Sequence, residues 1–380
     1  MPAEQVEDEH VKRTTESQRI LQKAREKARR KKKYDSIKTR RDLARLFREQ
    51  EGKDAYEWQI DVAEDLILGL DAVVIAETGA GKTIPFMLPV LLHRNKFVLI
   101  ISPLKILQED QVNRFKKIGL KATAVNGDTY SRELQKARQL HDLHTQTHNA
   151  ILTSPEMCFE HQDFRKFLRD DETGKRILAV IVDKAHCAAQ WAGDFCPHYG
   201  MLNRLRALLP VGTPILATSA TLSPSALTEV CSGLDLDLDT SFFLNLGNDR
   251  PNITPSIVEM NGGKDYAAIG PHLPNPEEVH SRAALPKTIV FTNAVKKTQV
   301  ISRHLRLLYP NVRGAIDFLH AHRTAKAKRR VMKQFRKGKI KILIATEAAG
   351  MVLGLTLFFS SVGKLNRGAQ FSTRPSRLVE

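Results

Sequence analysis

The chain has 380 residues, 42% hydrophobic and 27% charged, enough to bury a sizeable core in two or three domains. Its 59 Lys+Arg against 42 Asp+Glu leave a formal charge of +17, a surface that attracts phosphate polymers or anionic membranes, so nucleic acid is the first partner to consider. Four cysteines, none in a CxxC pair, argue against a disulfide framework and against zinc, and no apolar run approaches the roughly 18 residues of a bilayer span. The charged N-terminus lacks the apolar stretch of a signal peptide, so neither secretion nor a membrane partner is expected.

Residues 1–36 start acidic (Glu4, Glu7, Asp8, Glu9), carry few large apolar side chains, and end in the basic run Arg25–Lys33. They read as a disordered tail or a solvated helix. The run itself reads as a nuclear-import signal or a phosphate-binding arm, with a solubilising tail as the plain alternative, and nucleus ahead of cytoplasm as location. From Arg41 onward, apolar runs of strand length recur at Ala72–Ala76, Phe97–Ile101, Ala122–Val125, Ala150–Thr153, Ile177–Val182, Pro214–Thr218, Thr288–Phe291 and Lys341–Ala345. Helical patterns fall between them, as at Leu104–Lys117, Ser131–His144 and Ala325–Phe335. That alternation predicts an α/β fold of parallel sheets with helices on both faces.

Residues 246–286, with Gly262, Gly263 and several prolines, read as a linker between two α/β units spanning 37–245 and 287–351. After Met351 an apolar run and an aperiodic Ser/Arg end make 352–380 an aberrant tail.

The strand at Ala72–Ala76 runs into Glu77-Thr78-Gly79-Ala80-Gly81-Lys82-Thr83 and then an apolar helix. In a phosphate loop the glycines let backbone N–H groups turn onto phosphate oxygens, Lys82 reaches the β/γ-phosphates and Thr83 ligates Mg²⁺. The plain alternative is a glycine-rich turn with a chance lysine. A second strand ends in Asp183-Lys184-Ala185-His186, where a carboxylate at the strand's C-terminal edge would hold the same Mg²⁺.

Those four residues resemble the DEAH box of superfamily-two helicases, with Lys184 where the family has its catalytic Glu. The segment that follows, Gln190-Trp191-Ala192-Gly193-Asp194-Phe195, is similar to the aromatic-rich loop of RecQ-type helicases. Other RecQ-like marks stand in family order: Tyr56-Glu57-Trp58-Gln59, Ser102-Pro103-Leu104-Lys105 through Asp110-Gln111, Thr153-Ser154-Pro155-Glu156, Ala217–Thr221, Asp249-Arg250-Pro251-Asn252, Leu319-His320-Ala321 and Ile344–Met351. The resemblance covers roughly residues 41–351 and implies a P-loop NTPase of two tandem RecA-like lobes that binds ATP, Mg²⁺ and single-stranded or partly duplex DNA. By that resemblance Gln59 reads adenine, and Thr78, Gly79, Ala80, Gly81, Lys82 and Thr83 form the phosphate cradle. Asp183 joins Thr83 on the metal, while His186, Ser219 and Thr221 couple nucleotide state to DNA. Lys105, Ser154, Trp191 and Phe195 face the strand, the aromatics by stacking on bases, with core packing as their plain alternative.

Residues 320–341 hold ten basic side chains and no acidic one, with Ala327, Val331 and Phe335 as an apolar stripe. A solvated face and a phosphate-tracking surface are both open for it. Two departures from the family bear on catalysis. A protonated Lys184 cannot act as general base, and the family's arginine-rich motif after Gly350-Met351 has no counterpart, since neither Arg367 nor Arg374 stands in its context. The second lobe is therefore expected to be incomplete, as in a truncated or mis-spliced product. The resulting expectation is a RecQ-like 3′–5′ DNA helicase core with impaired catalysis, or else a non-catalytic, ATP-gated nucleic-acid binder. A small-molecule kinase built on the P-loop alone would leave the RecQ-like segments unexplained.

Overall fold

A computed structural model describes residues 3–103, 105–127, 143, 148–188, 197–247, 253–262, 265–346, 360–362 and 369–375. The chain forms two compact units, Met1–Asn248 and Asp249–Glu380.

Among the described residues, unit one holds seven strands: β1 (Ala72–Ile75), β2 (Phe97–Ile101), β3 (Ala122–Val125), β4 (Ala150–Thr153), β5 (Ile177–Asp183), β6 (Ile215–Ser219) and β7 (Phe242–Asn245). They hydrogen-bond in the order β3-β4-β2-β5-β6-β1-β7, every pairing parallel. Such strands are buried on both faces, which is why they appear in the sequence as unbroken Val/Ile/Leu runs. Val73, Leu99 and Val180 pack into one face's core, and Val74, Val98 and Ile181 into the other's.

Among the described residues, nine α-helices flank the strands: α1 (Ala3–Lys32), α2 (Ser36–Glu51), α3 (Glu57–Leu68), α4 (Ile84–Leu92), α5 (Lys105–Lys117), α6 (Pro155–Glu160), α7 (Gln162–Arg169), α8 (Asp171–Arg176) and α9 (Pro224–Leu234). The pattern read at Ser131–His144 lies outside the described residues save Leu143, which is buried.

Residues 1–36 are not a detached tail. From Ala3 to Lys32 they form one helix, for which a composition of Ala, Glu, Gln, Lys and Arg has high propensity. Two adjacent apolar side chains, Ile20 and Leu21, dock it. Leu21 is fully buried in the cluster that holds Val62, Leu66, Val74 and Leu244, and Ile20 is nearly so. Ser17 covers the outer strand β7: its hydroxyl donates to the Phe243 carbonyl (2.7 Å) and accepts from the Phe243 N–H (2.9 Å). A strand edge thus finds its hydrogen-bond partners in a helix rather than in another chain.

Unit two holds β8 (Ile253–Glu259), β9 (Thr288–Thr292), β10 (Ile316–Leu319), β11 (Ile342–Thr346), β12 (Ser360–Val362) and β13 (Ala369–Pro375), with helices α10 (Val295–Leu308) and α11 (Ala325–Arg336). The sheet order is β10-β11-β9-β12-β13-β8, the first four parallel and the last two joins antiparallel. On α11 the expected apolar stripe holds: Val331 and Phe335 are fully buried, and Arg329, Arg330 and Lys333 are exposed.

Within the segment 246–286, read as a linker, the described residues 253–262 and 265–286 belong to this unit. Ile253–Glu259 pairs with β13, and Ile269, Val279 and Leu285 pack with Val290 and Ile301 in its core. Its prolines and glycines mark short 3₁₀ turns such as Tyr266–His272, which carry no helical or strand period to read. Residues 360–362 and 369–375, inside the expected aberrant tail, also pair into the sheet.

Candidate active site

The P-loop leaves the C-terminal end of β1 and leads into α4. Gly79 and Gly81 have φ of +103° and +85°, a left-handed backbone that only glycine adopts without strain. A Cβ on Gly81 would lie 2.6 Å from Gln59 Nε2, so side chain and loop share the space that glycine leaves. Lys82 Nζ donates to the carbonyls of Ala76 (2.5 Å) and Glu77 (2.7 Å), folding its charge into the loop's concavity. Thr78, Ala80 and Thr83 are half-buried along the same turn, with Thr83 at the N-cap of α4.

Gln59 sits in the first turn of α3. Its Oε1 accepts the Tyr56 N–H (2.9 Å), and its Nε2 donates to the Ala80 carbonyl (3.2 Å) and approaches the Gly81 carbonyl (3.4 Å). The helix carrying the expected adenine reader is thereby tied to the phosphate loop.

β5 and β6, adjacent in the sheet order beside β1, bring the other motifs to the same edge. Asp183 ends β5 opposite Thr218, and Ser219 ends β6 opposite Ile75. In open parallel sheets this edge, outside the carboxyl ends of the strands, is where ligands bind. Asp183 is largely buried; Gln111 Nε2 donates to its Oδ2 (2.8 Å) and the Lys184 N–H to its Oδ1 (3.0 Å). Lys184 has φ +60°, a left-handed residue that turns the chain back so that the Ala185 N–H reaches the Thr218 carbonyl (3.0 Å).

That turn delivers His186 to the end of β6. Its Nδ1 lies 2.6 Å from Ser219 Oγ, which accepts the Thr221 N–H (3.1 Å) and donates to the Thr221 carbonyl (3.0 Å). Burial first, and then the nearby Lys184 charge, lower His186 to about 4, so the imidazole is neutral at pH 7. The unfolded histidine, with its pKa near ~6.5, takes up a proton that the native one refuses. Stability should therefore decline as pH falls from about 6.5 toward 4, and His186→Asn should flatten that stretch of the urea-melt profile. A slope equal to the parent's would place the titration elsewhere.

Lys105 is the exposed first residue of α5, after β2, and half-buried Ser154 stands at the N-cap position of α6 directly after β4. Both follow strands of this sheet at their C-terminal ends. Trp191 and Phe195 lie outside the described residues, as do Asp249–Asn252 and Glu347–Met351.

Sequence reading quoted Gln111 only as part of a motif; its donation to Asp183 is new. Gln108, one helical turn earlier, donates to the Ser102 carbonyl (3.0 Å), and a repeat of amides on one face of α5 was the available signal. Also unread was Glu64, a fully buried carboxylate on α3. Arg25 of α1 (2.7 Å) and Arg40 of α2 (2.9 Å) both donate to its Oε2, while Tyr34 (3.1 Å) and Ser36 donate to its Oε1. Three acidic residues, Asp61, Glu64 and Asp65, set among the apolar residues of Ile60–Leu68 were the signal, since a buried charge needs partners.

The groups at this edge fit a nucleoside triphosphate with a divalent metal. The glycine-rich turn leaves room for close approach of phosphate, Lys82 brings a cation to it, and the hydroxyl of Thr83 with the carboxylate of Asp183 is an all-oxygen set suited to a hard ion.

Residues 56–230 match the DEAD/DEAH box helicase family and residues 276–357 the helicase conserved C-terminal domain. The RecQ ATP-dependent DNA helicase of Pasteurella multocida is 28% identical over 77% of this chain and 43% of its own length. The Q-like 2 helicase of Arabidopsis thaliana is 26% identical over 77% of this chain and 40% of its own. The chain thus spans less than half the length of these relatives. In fold it resembles the DNA- and AMPPNP-bound DUF1998 helicase MrfA, with TM-score 0.59 and 19% identity over 81% of this chain and 44% of that one. It also resembles yeast Dbp5 bound to RNA and ADP–BeF3, with TM-score 0.58 and 16% identity over 80% of this chain and 73% of that one. Two tandem RecA-like P-loop units, two helicase family matches in succession and a set of RecQ relatives place this chain among the RecQ-like superfamily-two helicases.

Proposed function

We propose that the chain is the core of an ATP-dependent 3′–5′ DNA helicase that binds ATP and Mg²⁺ at the P-loop edge and has lost most of its hydrolytic rate through Lys184. The observation that carries this reading is the 2.6 Å approach of His186 to Ser219, which ties the strand end holding Asp183 to the Ser219–Thr221 turn. Such a link is the part a nucleotide-driven motor needs and a simple nucleotide-binding fold does not. Lys82 would hold the phosphates, Thr83 and Asp183 the metal, and Gln59 the base. The bound metal would neutralise charge developing between β- and γ-phosphates. Lys105, Ser154, Trp191 and Phe195 would meet the DNA strand, and the basic run at Arg25–Lys33 points to the nucleus.

Lys184 favours a second reading, a nucleotide-gated DNA binder, because an ammonium cannot take a proton from the attacking water. DNA-stimulated ATP hydrolysis by the full chain separates the two, with nucleotide binding followed in parallel. Lys82→Ala is expected to weaken ATP binding roughly 10- to 150-fold, the equivalent of one charge-assisted hydrogen bond of about 1.5–3 kcal/mol. Unchanged binding in that variant would remove the P-loop from the reading altogether.

A further inference from the structure

We propose that the outer face of α1 is a second nucleic-acid site, a rigid cationic ridge that takes the backbone phosphates of duplex DNA. Between Arg19 and Lys33 the sequence holds nine basic residues and one acidic, Glu26. At 100° per residue, Arg19, Lys23, Lys27 and Arg30 fall within an arc of about 80°. All four are exposed, and among the described side chains the buried ones, Ser17, Ile20 and Leu21, lie outside that arc. Among the described residues, Lys23, Lys27 and Arg30 pair with no acid; Arg19 has an exposed partner in Glu16 (3.3 Å). Like charges crowded on one helix repel each other, and a polyanion relieves that cost.

What separates this ridge from an ordinary solvated face is its anchoring. Ser17 on β7, buried Leu21, and Arg25 on Glu64 fix the inner side of the helix at three successive places. The cations therefore stand on a preorganised support, and binding need not order the backbone. The spacing also suits a phosphate ladder. A four-residue step advances about 6 Å, near the ~6.8 Å covered by two phosphates of one strand along the duplex axis. Single-stranded sites add aromatic faces to such charges, and residues 19–33 contain no aromatic residue. Duplex backbone is the ligand that remains.

The ridge extends the DNA-binding reading to a surface none of the helicase motifs occupies, and its test can fail without that reading failing. In the full chain, Arg19, Lys23, Lys27 and Arg30 are changed together to Gln, which keeps helix propensity and leaves Arg25 in place. Fluorescence anisotropy then follows a labelled blunt duplex between 50 and 200 mM salt, beside a poly-glutamate peptide, with a fluorescent ATP analogue and thermal unfolding as checks. Four lost phosphate contacts should lower the slope of log K against log salt by about 3.6, removing about 10²-fold of the parent's salt sensitivity over that range. ATP-analogue binding and the melting midpoint should not move. A duplex slope equal to the parent's overturns the proposal. So does a loss confined to the poly-glutamate peptide, which would make the ridge a docking face for an acidic protein. A parent that binds duplex through the ridge but binds no ATP analogue would instead sink the helicase reading and leave the ridge standing.

Discussion

Lys184→Glu is expected to raise DNA-stimulated ATP turnover of the full chain by about 10²-fold or more, the usual worth of a positioned general base. Lys184 follows Asp183 directly at the end of β5, so a carboxylate here would lie beside the proposed metal ligand, where the family places its base. The substitution costs little structurally. The left-handed backbone at φ +60° strains the unbranched Lys and Glu about equally, and the hydrogen bonds of the turn use the main chain of residue 184, which does not change. A second readout comes with it. The Lys184 charge helps hold His186 near 4, so reversing its sign should raise the histidine's pKa, visible by NMR titration. Steady-state kcat is the deciding measurement, with nucleotide affinity followed separately. If His186 moves and kcat does not, the arginine-rich motif with no counterpart in 352–380 limits the reaction, since such a group can be worth roughly 10³ to 10⁵.

The motifs of this edge were legible because each is local: the phosphate loop, Asp183–His186 and Ser219–Thr221 are short stretches whose residue types state their chemistry. The strands that carry them were legible for the same reason, as continuous apolar runs. Strands β7 and β10 escaped along with β8, β12 and β13; in β10 the polar Asp317 interrupts a run of only four residues, and β7 ends on the polar Asn245. The docking of α1 escaped because only two large apolar residues, Ile20 and Leu21, signal it between Arg13 and Lys33; the rest of the anchoring is polar. Hydrogen bonds such as Gln111 to Asp183, 72 residues apart, and Arg25 to Glu64, 39 apart, depend on tertiary register, which local pattern does not carry. Charge runs were the least legible feature, since composition alone does not distinguish a tail from an anchored helix with one cationic face.

Glu64→Ala should destabilise unit one by about 3 kcal/mol, the low end for removing one partner of a buried ion pair, because the two arginines are partly solvated. The Glu64 side chain is fully buried, and Arg25 and Arg40 keep about a fifth of theirs exposed, at 20% and 19%. Without the carboxylate Arg25 and Arg40 keep only Asp61 between them, at 3.8 and 2.6 Å, with Glu57 at the rim of Arg40, and Tyr34 and Ser36 lose their acceptor. Trp58, the neighbour of Gln59 on α3, reports the loss directly in a Trp191→Phe background, which leaves it the only tryptophan. Its fluorescence midpoint on heating should fall by roughly 6–12 °C for a unit of this size. Arg25→Ala should cost less, because Arg40 still satisfies the carboxylate. The arginines and Ser36 hold Glu64 below its usual range against the opposing effect of burial. Its contribution is therefore complete above about 4.3 and lost as pH falls below that, under the window assigned to His186. Glu64 also fixes the helix that presents Gln59 to the phosphate loop, so Glu64→Ala should weaken ATP binding as well. Lost stability with ATP affinity intact would mean that α1 and α2 brace the fold while Gln59 keeps its place through Tyr56 and Ala80 alone.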